Sequence, residues 1–163
     1  MTIKAPTGAG KTYSIIRSLF KINKETGKRA LIVLPYKALP SQIEREYEGA
    51  AAITGDSTKE DIEAAYNAPV VAVTYDSVSK IIRFDKSEFS FLVIDEAHNL
   101  VNQFGFRETA IAKVADFLES TQIEKKVLVS ATPNPLFGPF LKANRHEFTR
   151  AVNPKINVLA LSY

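Results

Sequence analysis

The chain has 163 residues, 45% of them hydrophobic and 24% charged, a balance that suits one globular domain around one core. Zero cysteines and two histidines exclude disulfides, thiolate metal sites and a histidine-rich metal centre, so any metal would be a hard cation on oxygen ligands, with magnesium the best fit. The net charge of +3 is scattered rather than run together, which permits nucleic acid as a partner without requiring it.

In chain order, short apolar strands alternate with helical patterns, and this argues an α/β fold with a mostly parallel central sheet covered on both faces. No repeat or linker divides the chain, so residues 1–163 read as one domain. Thr2 to Ala5 is a minimal first strand. Ala5-Pro6-Thr7-Gly8-Ala9-Gly10-Lys11-Thr12 follows it and opens a helix from Lys11, with Ile15, Ile16, Leu19 and Phe20 on one face and a stop near Gly27. A glycine-rich loop between strand and helix is built to wrap a polyphosphate. Its backbone N–H groups turn inward, and the helix N-terminus points partial positive charge at the anion. Thr7, Gly8, Ala9, Gly10, Lys11 and Thr12 are the candidate phosphate-binding residues. Lys11 would reach the β- and γ-phosphates, and the Thr12 hydroxyl would ligate magnesium. One departure stands out: Ala5 occupies the position usually held by glycine.

Ala30 to Leu34 is a second strand, buried on both sides, running into Pro35, Tyr36 and Lys37 and then a helix that carries Ile43 and Tyr47. Ala51 to Thr54 reads as a short third strand. Ser57 with Glu60 and Thr58 with Asp61 form two overlapping capping boxes, so a helix begins there. Pro69 to Val73 is a fourth strand, followed by Thr74, Tyr75, Asp76 and Ser77 and a short helix with Val78, Ile81 and Ile82.

Phe89 to Ile94 is the strongest strand pattern, and it runs directly into Asp95-Glu96-Ala97-His98. In a phosphate-loop enzyme an aspartate at such a strand end reaches the magnesium beside the Thr12 side, and the next glutamate polarises the attacking water. The plainer alternative is a pair of solvated acids ending a strand. Arg107 to Ser120 is a helix with Ile111, Val114, Ala115 and Leu118 at helical spacing. Val127 to Val129 is the next strand, ending in Ser130-Ala131-Thr132. A short helix around Phe137 to Leu141 and a last strand at Ile156 to Leu161 complete the pattern. The candidate functional residues thus fall at C-terminal strand ends, where ligands sit in open parallel sheets.

Three of these stretches carry a family resemblance. The chain resembles the first RecA-like domain of a superfamily 2 helicase or translocase of the DEAD/DEAH-box type. Ala5 through Thr12 matches the helicase form of the phosphate loop, in which alanine at the first position is normal. Asp95-Glu96-Ala97-His98 matches the DEAD/DEAH box, and Ser130-Ala131-Thr132 matches the motif that links hydrolysis to movement. The resemblance implies a three-layer RecA-like domain that binds ATP and Mg2+. Lys11, Asp95 and Glu96 would be catalytic, Thr12 and Asp95 would hold the metal, and His98, Ser130 and Thr132 would couple the two activities. It further implies contact with a DNA or RNA backbone through Pro35, Tyr36 and Lys37 after the second strand and Thr74, Tyr75 and Ser77 after the fourth. Each of these has a structural alternative: surface polarity for the backbone-contact set, a hydrogen-bonded strand-end histidine for His98, and turn residues for Ser130 and Thr132.

Two parts of the family pattern have no counterpart between Met1 and Tyr163: the upstream segment that grips adenine, and the second RecA-like domain with its arginine fingers. Arg107, Arg145 and Arg150 lie outside any motif that would place them on a γ-phosphate. The expectation is therefore a piece of a longer helicase that by itself binds nucleotide weakly and hydrolyses it slowly. The competing reading is a non-hydrolysing nucleic-acid or protein binding module that keeps the fold. A small-molecule kinase or GTPase-type switch fits less well, since no guanine-reading pattern is present. No apolar run is long enough to cross a bilayer and no stretch has the form of a signal peptide, so the expected setting is cytoplasm or nucleus, with no membrane partner.

Overall fold

The computed structural model describes residues 2–4, 10–81, 89–102, 108–120, 122–123, 125–130 and 145–147. Side chains are described for all of these except 2–4, 101–102, 119–120 and 145–147. Several expectations from the sequence fall outside that set. They are Thr7, Gly8 and Ala9 of the phosphate loop, Arg107, Thr132, Arg150, the helix at Phe137 to Leu141 and the strand at Ile156 to Leu161.

Runs of β-branched residues and leucine build the middle of the sheet. The strands are β1 (Thr2–Lys4), β2 (Arg29–Leu34), β3 (Ala50–Ile53), β4 (Val70–Thr74), β5 (Phe89–Ile94), β6 (Lys125–Ser130) and β7 (Arg145–Glu147). Among the described residues they form one seven-stranded sheet in the order β3-β4-β2-β5-β6-β1-β7, with every adjacent pair parallel. Every residue of β4, and every residue of β2 after Arg29, is buried. That is the expected consequence of continuous apolar strands covered on both faces.

The differences from the sequence reading lie at strand ends and edges. β2 starts one residue early, at Arg29. The charge is absorbed because Arg29 donates from Nε to the Ala68 carbonyl at 2.9 Å and from a terminal nitrogen to the Ala65 carbonyl at 3.2 Å. β6 starts two residues before Val127 and takes in Lys125 and Lys126. The Lys126 ammonium donates to the Leu118 carbonyl at 2.7 Å, and that of Lys125 lies 5.5 Å from the Phe91 ring centre. β7 has no sequence signal at all, because Arg145-His146-Glu147 is polar and pairs with β1 at the sheet edge. β3 and β4 are each displaced by one residue from their expected bounds.

Two helices cover one face. α1 (Lys11–Thr26) is preceded by Gly10 at φ 69° and closed by Gly27 at φ 71°, whose N–H reaches the Asn23 carbonyl at 2.7 Å. Both glycines occupy the left-handed region that side chains disfavour. α2 (Ala38–Glu46) tolerates Pro40, which lacks an N–H, because an N–H in the first helical turn would find no intrahelical acceptor. Tyr47, expected inside α2, is instead its extended C-terminal cap. Ile15, Ile16, Leu19 and Ile43 pack from these helices onto Ala30, Ile32, Leu34, Val93 and Val129. Alternate residues of the same strands, among them Leu31, Val33, Leu92 and Ile94, face the opposite layer. There they meet Val114, Phe117 and Leu118 of α5 (Glu108–Ser120).

Of the two capping boxes, only Thr58 with Asp61 forms, ahead of α3 (Lys59–Ala64). The Ser57 hydroxyl is already engaged, accepting from the Thr54 N–H at 2.9 Å. The helix expected after Thr74 is a 3₁₀ segment, Tyr75–Ile81. The single-turn helix α4 (Asn99–Asn102) and the 3₁₀ turn Ala65–Asn67 have no periodic signature and were not expected.

Candidate functional site

Three elements converge at the C-terminal edge of the sheet. α1 opens with Lys11 and Thr12, β5 delivers Asp95 and Glu96, and β6 delivers Ser130. The registers bring Leu128 beside Ile94 and also beside Thr2, which aligns the strand ends. Backbone bonds extend this alignment past the strands: the Asp95 N–H donates to the Val33 carbonyl at 2.9 Å, and the Ala97 N–H to Val129 at 2.8 Å.

At the centre, Thr12 Oγ1 donates to Asp95 Oδ2 at 2.5 Å, across 83 residues of sequence. The other carboxylate oxygen of Asp95 accepts from the Glu96 N–H at 2.9 Å. Asp95 is only 2% exposed. A buried carboxylate in short contact with a hydroxyl offers hard oxygen donors, the chemistry that suits magnesium, which keeps several waters and needs few protein ligands. Among the described residues no group of three or more His, Cys, Asp or Glu is arranged to hold a metal ion by itself.

Glu96 faces the same space. Its Oε1 lies 4.0 Å from the Lys11 ammonium, at the outer limit of an ion pair, and the Lys11 side chain is 7% exposed. Its Oε2 is buried and makes no hydrogen bond. The approach to His98 Nδ1, at 3.2 Å, is close but not aligned as one. His98 Nδ1 instead lies 3.0 Å from Ser130 Oγ, and Ser130 is fully buried. Which of the two donates follows the imidazole tautomer. A buried acceptor without a donor is costly in a folded protein and marks a place where a ligand can supply one.

The nucleic-acid set behaves differently. Tyr36 is 53% exposed, and Lys37 is exposed and paired with Asp56, also at the surface. Pro35 is buried at the end of β2. Thr74, Tyr75 and Ser77 were expected at the surface and are not there. Thr74 Oγ1 donates to Ser77 Oγ at 2.9 Å within the interior, and all three residues are buried. The physical reason is that β4 lies between β3 and β2, and the 3₁₀ segment that follows packs into the core layer with α5.

Sequence reasoning missed three features of the site. The Tyr75 hydroxyl donates to the Asp95 carbonyl at 2.7 Å. Tyr13 is 54% exposed immediately after the Gly-Lys-Thr, with the Arg17 guanidinium 5.6 Å from its ring centre. A cleft of about 290 Å³ separates α1 from α2, with Lys11, Thr12 and Glu96 on one wall and Gln42, Glu46 and Tyr47 on the other. Burial first, then the neighbouring Tyr13 and Glu46, raise the Tyr47 hydroxyl above its ordinary pKa. No spacing rule marks any of these, because each depends on which strands and helices become neighbours.

Comparison with known proteins gives the family and the fold. The sequence profile of the DEAD/DEAH box helicases matches residues 1–136. An uncharacterized protein of Methanocaldococcus jannaschii is 30% identical over 149 residues, covering 80% of this chain and 11% of that protein. The ATP-dependent DNA helicase Hel308 of Aeropyrum pernix is 27% identical over 109 residues, covering 61% of this chain and 14% of that protein. The chain therefore spans between a tenth and a seventh of the length of these curated relatives. The crystal structure of a DEAD box protein from Methanococcus jannaschii superposes with a TM-score of 0.73 at 23% identity, over 90% of this chain and 44% of that one. It shares the fold.

Proposed function

This chain belongs to the DEAD/DEAH box helicase family, and from that membership we propose that it is the ATP-binding motor domain of a nucleic-acid-dependent ATPase. The observation that carries the proposal is the 2.5 Å contact of Thr12 with Asp95, with Glu96 and Lys11 beside it. Two stretches far apart in sequence meet at one strand edge with the groups that phosphoryl transfer needs.

In this reading residues 7–12 hold the triphosphate, and the Lys11 ammonium neutralises charge on the β- and γ-phosphates. Thr12 and Asp95 are the residues that would hold Mg2+, which when bound supplies charge neutralisation across the phosphates. The buried Oε2 of Glu96 is the acceptor for the attacking water, orienting it in line with the γ-phosphate. His98 and Ser130, in contact at 3.0 Å, form the path from the nucleotide towards movement, a role that Thr132 would share. Tyr36 and Lys37 are the exposed candidates for a DNA or RNA backbone. A second RecA-like domain supplies the arginine finger, which in related phosphoryl transfer is worth about 10³–10⁵ in rate. Without it the chain turns over slowly.

The test is magnesium-dependent ATP hydrolysis with and without single- and double-stranded nucleic acid, on this chain and on the complete gene product, beside Glu96→Gln. Turnover stimulated by nucleic acid in the complete product, lost in Glu96→Gln with nucleotide binding retained, supports the motor. Absence of hydrolysis in the complete product under all these conditions sinks it and favours a binding module.

A further inference from the structure

Tyr75 was expected to touch a nucleic-acid backbone, and its burial takes the side chain away from such a contact. Its ring has no exposed surface, and its hydroxyl is spent on the turn that follows β5. That turn is unusual. Glu96 adopts φ 47° and is the sole non-glycine residue with positive φ among the described residues. Side chains enter this region only when their surroundings hold them there.

The restraints on the turn can be named. The Glu96 N–H is tied back to Asp95 Oδ1 at 2.9 Å, the Asn99 N–H donates to the Glu96 carbonyl at 2.9 Å, and the Ala97 N–H is fixed to β6. The Tyr75 hydroxyl, arriving from β4 twenty residues earlier, donates to the Asp95 carbonyl at 2.7 Å and lies 3.3 Å from the Glu96 carbonyl. One proton cannot serve both fully, so the shorter contact dominates. The two carbonyls flank the Glu96 residue, and their direction sets where its carboxylate points. The 4.0 Å spacing to Lys11 and the 3.2 Å approach to His98 both depend on that direction.

We infer that Tyr75 is a positioning residue for hydrolysis, whose buried hydroxyl fixes the left-handed Asp95–Glu96 turn and thereby aims Glu96. The inference rests on the motor reading above. The 3₁₀ segment after β4 thus reaches the Asp95–Glu96 turn through one buried hydroxyl.

Tyr75→Phe in the complete gene product keeps the ring and removes the hydroxyl. The expected result is a fall in kcat of about tenfold to a hundredfold, the scale of a small misplacement of a reacting group, with ATP KM and nucleotide Kd within about twofold of wild type. In a Glu96→Gln background, measured by single turnover, the same substitution should add no more than about a twofold further loss, because it acts through Glu96. An unchanged kcat overturns the inference, and so does a loss of equal size in both backgrounds. A variant that loses nucleotide binding along with turnover assigns the hydroxyl to folding, and overturns it as well. If wild type itself shows no turnover, the motor reading falls and this inference with it. Turnover in wild type that Tyr75→Phe leaves intact removes this inference alone.

Discussion

The proposed nucleotide side and the proposed backbone-contact side of this domain start from similar material, short polar stretches at the C-terminal ends of buried parallel strands. They end differently. Around Thr12, Asp95, Glu96, His98 and Ser130 the fold gathers side chains from three elements into a half-buried cluster. After β2 and β4 it separates the expected set, leaving Tyr36 and Lys37 in solvent and drawing Pro35, Thr74, Tyr75 and Ser77 inside. The lesson is chemical. A phosphate and its metal demand particular side-chain atoms at particular strand ends, so the residue types survive as a readable pattern. Contact with a sugar-phosphate backbone can use N–H groups and any exposed cation, and so it constrains sequence much less.

The sharpest way to test this contrast is at the buried centre. Asp95→Asn preserves shape but removes the charge beside Thr12. Apparent magnesium affinity in nucleotide binding should fall by about 10–100-fold, read from a magnesium titration with a fluorescent nucleotide. An unchanged titration would remove Asp95 from the metal site. A smaller effect belongs to the surface. Lys37→Ala should weaken nucleic-acid binding and lower the slope of log K against log salt by about 1, while nucleotide affinity stays put. Ser77→Ala should leave that slope unchanged, because its hydroxyl faces Thr74 and not solvent. Equal effects from Lys37 and Ser77 would erase the distinction between the two regions.

The smallest effect lies away from both. Thr58→Ala removes the cap of α3 and should cost about 1 kcal/mol, seen as a lowered melting temperature without loss of nucleotide binding. The Thr58 backbone N–H, then its hydroxyl, hold Asp61 below the ordinary carboxylate pKa. Its contribution is therefore present above the unfolded pKa and fades as pH falls through the folded one. Alanine keeps the backbone N–H, so only the hydroxyl's part of the melting difference between wild type and Thr58→Ala should narrow in acid.

Much of this molecule was legible residue by residue. Continuous apolar runs located β2, β4 and β5, helical spacing located α1 and α5, and glycines marked both ends of α1. The placement of Lys11 and Thr12 at the start of a helix, and of Asp95 and Glu96 at the end of a strand, was readable for the same reason. What failed was whatever lacked periodicity. β7 is three polar residues whose place comes from a neighbour. Lys125 and Lys126 look like solvent residues, yet they lie in a strand because a carbonyl and an aromatic ring receive their charges.

By itself the sequence determined the alternating α/β plan, the parallel sheet and the identity of the groups available for phosphate chemistry. These follow from local hydrophobic periodicity and from the residue types themselves. Only the tertiary structure decided the rest: that Tyr75 faces inward to the Asp95 carbonyl, that Glu96 sits in a left-handed turn, and that Ser57 loses its capping role to Thr58. Each of those outcomes is a competition among hydrogen-bond partners brought together by strand order, and no window of sequence contains the competitors.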